Sequence, residues 1–241
     1  METVEAIDIE AYLKLIKQKK DENILNGNVE DFLFRGQTAD YPLLPKLGRL
    51  KAKGDLKMIE RQMLDEFKRT NPLLIESQRP MDDWDYLTLG QHYGLPTRLL
   101  DWSKNALTAL WFATAENSSI IMENVSPVIW ILMPCRDDFE IETGAIHPFD
   151  VPETRIVQPR IIKQRINNQS GVFSVHSTAD ILQKRNLNEA DSYAGKLIKV
   201  VIPPERLKDI RTDLNTVGIN AFTIYPELEG LCSYLQWRYF E

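Results

Sequence analysis

The chain has little of what builds metal centres and disulfide frameworks. Its 241 residues hold two cysteines, Cys135 and Cys232, and three histidines, His92, His147 and His176. The cysteines stand far apart, so neither a metal-type Cys pair nor a disulfide framework follows. They read as small core thiols of a protein kept in a reducing compartment. No two histidines stand four apart, which excludes a zinc site of the His-Glu-x-x-His kind. Excess positive charge is also missing: 29 Lys and Arg face 35 Asp and Glu, a net charge of −6. That argues against bulk nucleic-acid binding, though not against a local basic groove. No apolar run is long enough to cross a bilayer, and no apolar core follows the acidic start Met1-Glu2-Thr3-Val4-Glu5. A secretion signal is therefore not expected. A cytoplasmic location with no membrane partner is.

What is there suits a globular protein. The hydrophobic share is 43% and the charged share 27%. This is enough apolar surface for one large domain. Ile9, Leu13 and Ile16 repeat at helical spacing, so a helix is expected over residues 8–20, ending in a lysine run that suits its dipole. The turn Asn26-Gly27-Asn28 separates this N-terminal helical segment, residues 1–28, from the main domain, residues 29–241. A short strand follows at Phe32-Leu33-Phe34, with Arg35-Gly36-Gln37 at its exit. Helices are expected over 55–70 and from Asp83 to Tyr93, the second stopped by Gly94 and Pro96. Ser103 reads as the N-cap of an apolar helix over 104–116. Strands are expected at Val128–Met133, Gly171–His176, Lys196–Ile202 and Phe222–Tyr225. Residues 145–165 read as loop plus a short helix, and helices close the chain after Pro203-Pro204 and from Leu228. Strands separated by helices and long loops give an α+β class: a single compact domain with a mixed sheet, plus the N-terminal helix.

Four polar clusters could carry chemistry. Arg35, next to Gly36 and Gln37, can aim a guanidinium at a planar or anionic group while the glycine lets a ligand approach the backbone; it can equally tie two loops together by pairing with Asp101. Gln91, His92, Tyr93, Thr97, Arg98, Asp101 and Trp102 crowd around a Gly and a Pro beside a segment that must be buried. Such density suits the lip of a cavity, with Tyr93 or Trp102 as a flat face for a ring; it also suits a buried polar network that fixes loops. Arg160, Arg165, Gln169, Gly171 and His176 could meet phosphates and a sugar, or form a solvated basic turn. Glu227 and Glu229 could stabilise positive charge on a sugar ring, or simply favour the start of a helix. A metal-dependent nuclease would need converging carboxylates, and the pairs Asp82-Asp83 and Asp137-Asp138 stand in apparent turns.

Five stretches together resemble one family. They are Phe34-Arg35-Gly36-Gln37, then Gln91 to Trp102, then Ala109-Leu110-Trp111-Phe112-Ala113, then Gln169-x-Gly171-Val172-Phe173, then Tyr225-Pro226-Glu227-Leu228-Glu229-Gly230. Their order is similar to that of the FRG domain family, named for its Phe-Arg-Gly motif and found largely in bacteria and phages. The resemblance implies a role in defence or toxin-like systems. The motif order is also remotely similar to that of ADP-ribosyltransferases, which implies NAD as a substrate and a protein target or phage component as partner. On that analogy Arg35 would contact the nicotinamide end or a ribose, Thr97 or Ser103 would scaffold the middle strand, and Glu229 or Glu227 would be the catalytic acid. Gln169 stands where an acid would be expected and is neutral. A binding module without catalysis is the alternative.

Overall fold

The computed structural model describes residues 1–28, 30–70, 80–115, 125–139, 141, 143, 145–158, 160 and 171–240. Seven strands lie among them: β1 (Glu2–Glu5), β2 (Leu33–Gln37), β3 (Leu99–Ser103), β4 (Val128–Leu132), β5 (Arg155–Val157), β6 (Gly171–Val175) and β7 (Leu197–Val201). They form one mixed sheet in the order β1-β7-β4-β2-β3-β6-β5. Only β1 and β7 run parallel; the other neighbours are antiparallel. Nine α-helices accompany the sheet among the described residues: α1 (Ile9–Leu25), α2 (Lys46–Arg49), α3 (Leu56–Thr70), α4 (Asp83–His92), α5 (Ala106–Ala113), α6 (Thr178–Leu182), α7 (Leu207–Thr216), α8 (Ala221–Ile224) and α9 (Leu228–Phe240). No described helix is long and apolar enough to cross a membrane.

The sheet is two blocks held by one bridge. The β2–β4, β4–β7 and β3–β6 pairs each run over five residues, but β2 and β3 meet only at Phe34 and Ser103. Residues opposite each other in an antiparallel pair share a face. Phe34, Ser103, Asp101 and Phe173 therefore lie on one side of the sheet. On that side α5, α1 and α7 cover the first block, with Phe34, Leu110, Ile129 and Ile198 in their core. Helices α3 and α4 cover the second block through Leu64, Trp84 and Leu87 against Leu99, Phe173 and Val175. The opposite face buries Leu33, Leu100, Trp102, Trp130 and Val172 in a third core that spans both blocks. A cleft opens on the helical side, where the strands part.

Helix α5 lies closer to β2 than side chains would permit. A Cβ on Gly36 would stand 1.8 Å from the Ala109 carbonyl oxygen and 2.6 Å from the Ala113 nitrogen. The close approach that Gly36 permits here is that of a helix backbone.

Other expectations shift for local reasons. Arg35, Gly36 and Gln37 belong to β2 itself, not to its exit. The N-cap of α5 is Asn105, whose Oδ1 accepts from the Leu107 and Thr108 amides; Ser103 ends β3 and accepts from the Asn105 amide. Residues 221–224 are a helix, not a strand. Asn220 Oδ1 accepts from the Phe222 and Thr223 amides, and Thr223 Oγ1 accepts from the Asn220 amide. This reciprocal cap outweighs the β propensity of Phe, Thr and Ile. The region 145–165 contributes strand β5, and the N-terminal residues contribute β1, whose sequence Glu-Thr-Val-Glu offers one apolar residue as signal. Neither cysteine is in the core: Cys135 is half-buried and Cys232 exposed.

Candidate functional site

The cleft between the two sheet blocks has a volume of about 310 Å³. Arg35 and Gly36 from β2 and Asp101 and Trp102 from β3 form its floor. Gln91 and His92, at the end of α4, stand at one side, and Phe112 of α5, Phe173 of β6 and Tyr225 supply aromatic surface. A polar end beside aromatic walls is how small organic ligands are usually held and oriented.

The polar end is wired by a chain of hydrogen bonds. Thr97 is fully buried. Its Oγ1 accepts from the Leu99 amide and donates to Gln91 Oε1 at 2.5 Å. That contact fixes the Gln91 amide, so that its Nε2 donates to Asp101 Oδ2 at 2.8 Å. Arg35 Nη1 donates to the Asp101 carbonyl oxygen at 2.8 Å and stands 3.7 Å from Asp101 Oδ2. Thr97 therefore positions Gln91 from behind without lining the cleft. Burial pulls the Arg35 guanidinium below its ordinary pKa, opposed by Asp101 and assisted by Arg49. Arg35 Nε is buried with no hydrogen-bond partner among the described residues. Arg35 lines the cleft, so its unsatisfied donor leaves hydrogen-bonding capacity at that end of it.

A second network holds Trp102. Its Nε1 donates to Ser174 Oγ at 3.1 Å, and that hydroxyl stands 3.2 Å from His176 Nε2. His176 is buried, and burial above all pushes its pKa down to about 3, with Arg98 and Arg35 adding to the shift and Asp180 opposing it. A neutral imidazole can accept the Ser174 proton at Nε2. His176 thus acts on the cleft through Ser174 and Trp102, not by contact with a ligand. In the unfolded chain the imidazole titrates at its ordinary 6.5. Below that pH the unfolded state binds more protons than the folded one, so stability falls with acidification until the folded pKa is reached. The limiting slope is about 1.4 kcal/mol per pH unit. His176→Gln is expected to flatten the dependence of melting temperature on pH below neutrality; an unchanged slope would refute the neutral assignment.

The other candidate residues lie elsewhere. Arg98 is buried against Glu60 and the Phe149 and His176 carbonyls. Gln37 is buried and accepts from Trp130 Nε1 at 3.0 Å, under the opposite face. Tyr93 is exposed, edge-on to His92, and does not line the cleft. Arg160 pairs with Asp82 and Asp85 at the start of α4, so it holds a helix cap. Gln169 and Arg165 lie outside the described residues. Glu227 and Glu229 are exposed and absent from the cleft lining, Glu229 in the first turn of α9. Asp101 is the carboxylate among the described lining residues. Phe112, Phe173 and Tyr225 line the cleft without being among the polar candidates; the signal for them in the sequence is that all three stand inside the family-like stretches. The described residues hold no cluster of three or more His, Cys, Asp or Glu that could hold a metal ion.

Residues 30–120 match the family model of the FRG domain. This stretch spans β2 to α5 and so supplies both strands that part to open the cleft. No curated protein and no solved structure matches the chain.

Proposed function

We propose that this chain, which contains an FRG domain, binds a nucleotide of the NAD class in the β2–β3 cleft. The observation that carries this reading is Arg35, whose buried Nε has no partner among the described residues, at the polar end of a cleft of about 310 Å³ with aromatic surface from Phe112, Phe173 and Tyr225. The aromatic surface suits a flat ring such as nicotinamide. The guanidinium suits a ribose, amide or phosphate oxygen. The remote likeness of the motif order to ADP-ribosyltransferases points the same way, as analogy only.

Catalysis at the nicotinamide–ribose bond is the second reading, and Asp101 favours it. A carboxylate at the cleft can stabilise an oxocarbenium-like transition state. It replaces Glu227 and Glu229 in that role. A protein target or phage component would then be the acceptor.

Equilibrium dialysis of labelled NAD against the full chain tests binding, and chromatography of the same mixtures tests turnover. Arg35→Ala is expected to weaken NAD binding about tenfold to hundredfold, the worth of a charge-assisted hydrogen bond, with the fold retained. NAD retained without product supports the binding module; free nicotinamide that Asp101→Asn abolishes supports the enzyme. If Arg35→Ala lowers the melting temperature and leaves NAD retention unchanged, Arg35 is a structural tie and the proposal fails.

A further inference from the structure

Helix α9 carries apolar side chains on two opposite sides. On the inner side Tyr234 and Trp237 face Trp111 of α5 across a cavity. Gly230 lies on the same side, and a Cβ there would stand 1.9 Å from the Tyr225 carbonyl oxygen, so this side is pressed onto the chain before it. The outer side holds Leu228, Cys232, Leu235 and Tyr239. Steps of four, three and four residues set these four in one line along the helix, about half a turn from Gly230 and Trp237. All four are turned to water: Leu228 is 80% exposed, Tyr239 69% and Leu235 40%, and Cys232 is exposed as well. A contiguous exposed apolar line of this kind marks an interaction surface.

The charges of α9 select the partner. A helix that lies on a lipid surface needs a polar face rich in Lys and Arg. This helix has one Arg and no Lys, in a chain of net charge −6. Its two charged residues, Glu229 and Arg238, stand at opposite ends of the apolar line. A second copy laid antiparallel brings Glu229 to the same end as Arg238 of the partner subunit, twice over, and opposes the two helix dipoles favourably. A parallel copy would bring like charges together at both ends. The apolar line has the same symmetry. Leu228 and Tyr239 stand equally far from its centre, and so do Cys232 and Leu235.

We infer that the outer side of α9 is a homodimer surface on which two copies of the chain pack antiparallel about a two-fold axis. Leu228 then lies beside Tyr239 of the partner subunit and Cys232 beside Leu235 of the partner subunit, each contact made twice. The inference does not depend on what the β2–β3 cleft binds.

Sedimentation velocity of the full chain over a range of concentrations tests it. A dimer is expected to form by tens of micromolar. Leu235→Glu is expected to raise the dimer dissociation constant at least about hundredfold, because the seam would bury a carboxylate. Its circular dichroism spectrum is expected to be that of the parent, since Leu235 faces away from the domain. A short bismaleimide reads the orientation. The two Cys232 positions of the dimer are offset by about 4.5 Å along the seam, so the parent is expected to cross-link and Cys232→Ser is not. In Cys232→Ser chains, Leu228→Cys and Tyr239→Cys are expected to cross-link only when the two variants are mixed. A chain that stays monomeric overturns the inference and leaves the apolar line to another protein or a lipid surface. A dimer that Leu235→Glu leaves intact uses another face, and cross-linking of Leu228→Cys alone means parallel packing; either result overturns it too.

Discussion

Gly36→Ala is expected to destabilise the fold severely. The added methyl group would meet backbone atoms of α5, 1.8 Å from the Ala109 oxygen and 2.6 Å from the Ala113 nitrogen. A side chain in the way could rotate; a helix backbone cannot. Relief would require α5 to lift from β2, exposing the core that Phe34, Ala109, Leu110 and Ala113 share. Overpacking of this kind costs about 3 kcal/mol or more, and the total stability of a domain is only about 5–15 kcal/mol. The variant should accumulate as insoluble protein, or melt many degrees below the parent by circular dichroism. A melting temperature within a few degrees of the parent would show that α5 does not sit where it is described. The glycine of the Phe-Arg-Gly motif then has a packing role, and the arginine beside it faces the cleft.

Glu60→Ala is expected to be nearly as damaging, at about 3–5 kcal/mol. Glu60 accepts from Arg98 Nε at 2.9 Å and from Nη2 at 2.5 Å, with both side chains almost wholly out of solvent. The Arg98 guanidinium also donates to the Phe149 and His176 carbonyls and lies 5.0 Å from the centre of the Phe149 ring. Without the carboxylate, the guanidinium remains buried with its charge unbalanced, which costs far more than the pair contributes when intact. The double variant Glu60→Leu with Arg98→Met should recover much of the loss, because two apolar side chains of similar volume carry no unpaired charge. Urea titrations of the parent and the two variants give the comparison. If Glu60→Ala keeps its stability and loses ligand binding, Arg98 is a site residue after all.

These two residues show how far local pattern reaches. Helices α3, α4 and α9 were legible from apolar spacing and from stop signals such as Gly94 and Pro72, because helix periodicity is written in neighbouring residues. So were β4, β6 and β7, which are short apolar or alternating runs. Strand β1 was not, because its pairing with β7 joins residues almost two hundred positions apart and its own sequence is polar. The helix over 221–224 was missed because a cap made by Asn220 and Thr223 overrode the propensity of the residues it encloses.

By itself, the sequence determined the α+β class, most helices and strands, and the motif segments that carry the FRG resemblance. Only the tertiary structure decided which charged residue does what. Arg35 and Arg98 look alike as letters beside a strand. One lines a cleft because β2 and β3 meet at a single pair and then part; the other is buried on Glu60. Asp101 lines the cleft because β3 does, while Glu227 and Glu229 stay outside it, exposed at the start of α9. The side chains that share a cavity are set by strand order and by where two strands separate, and those depend on contacts between residues far apart in the chain.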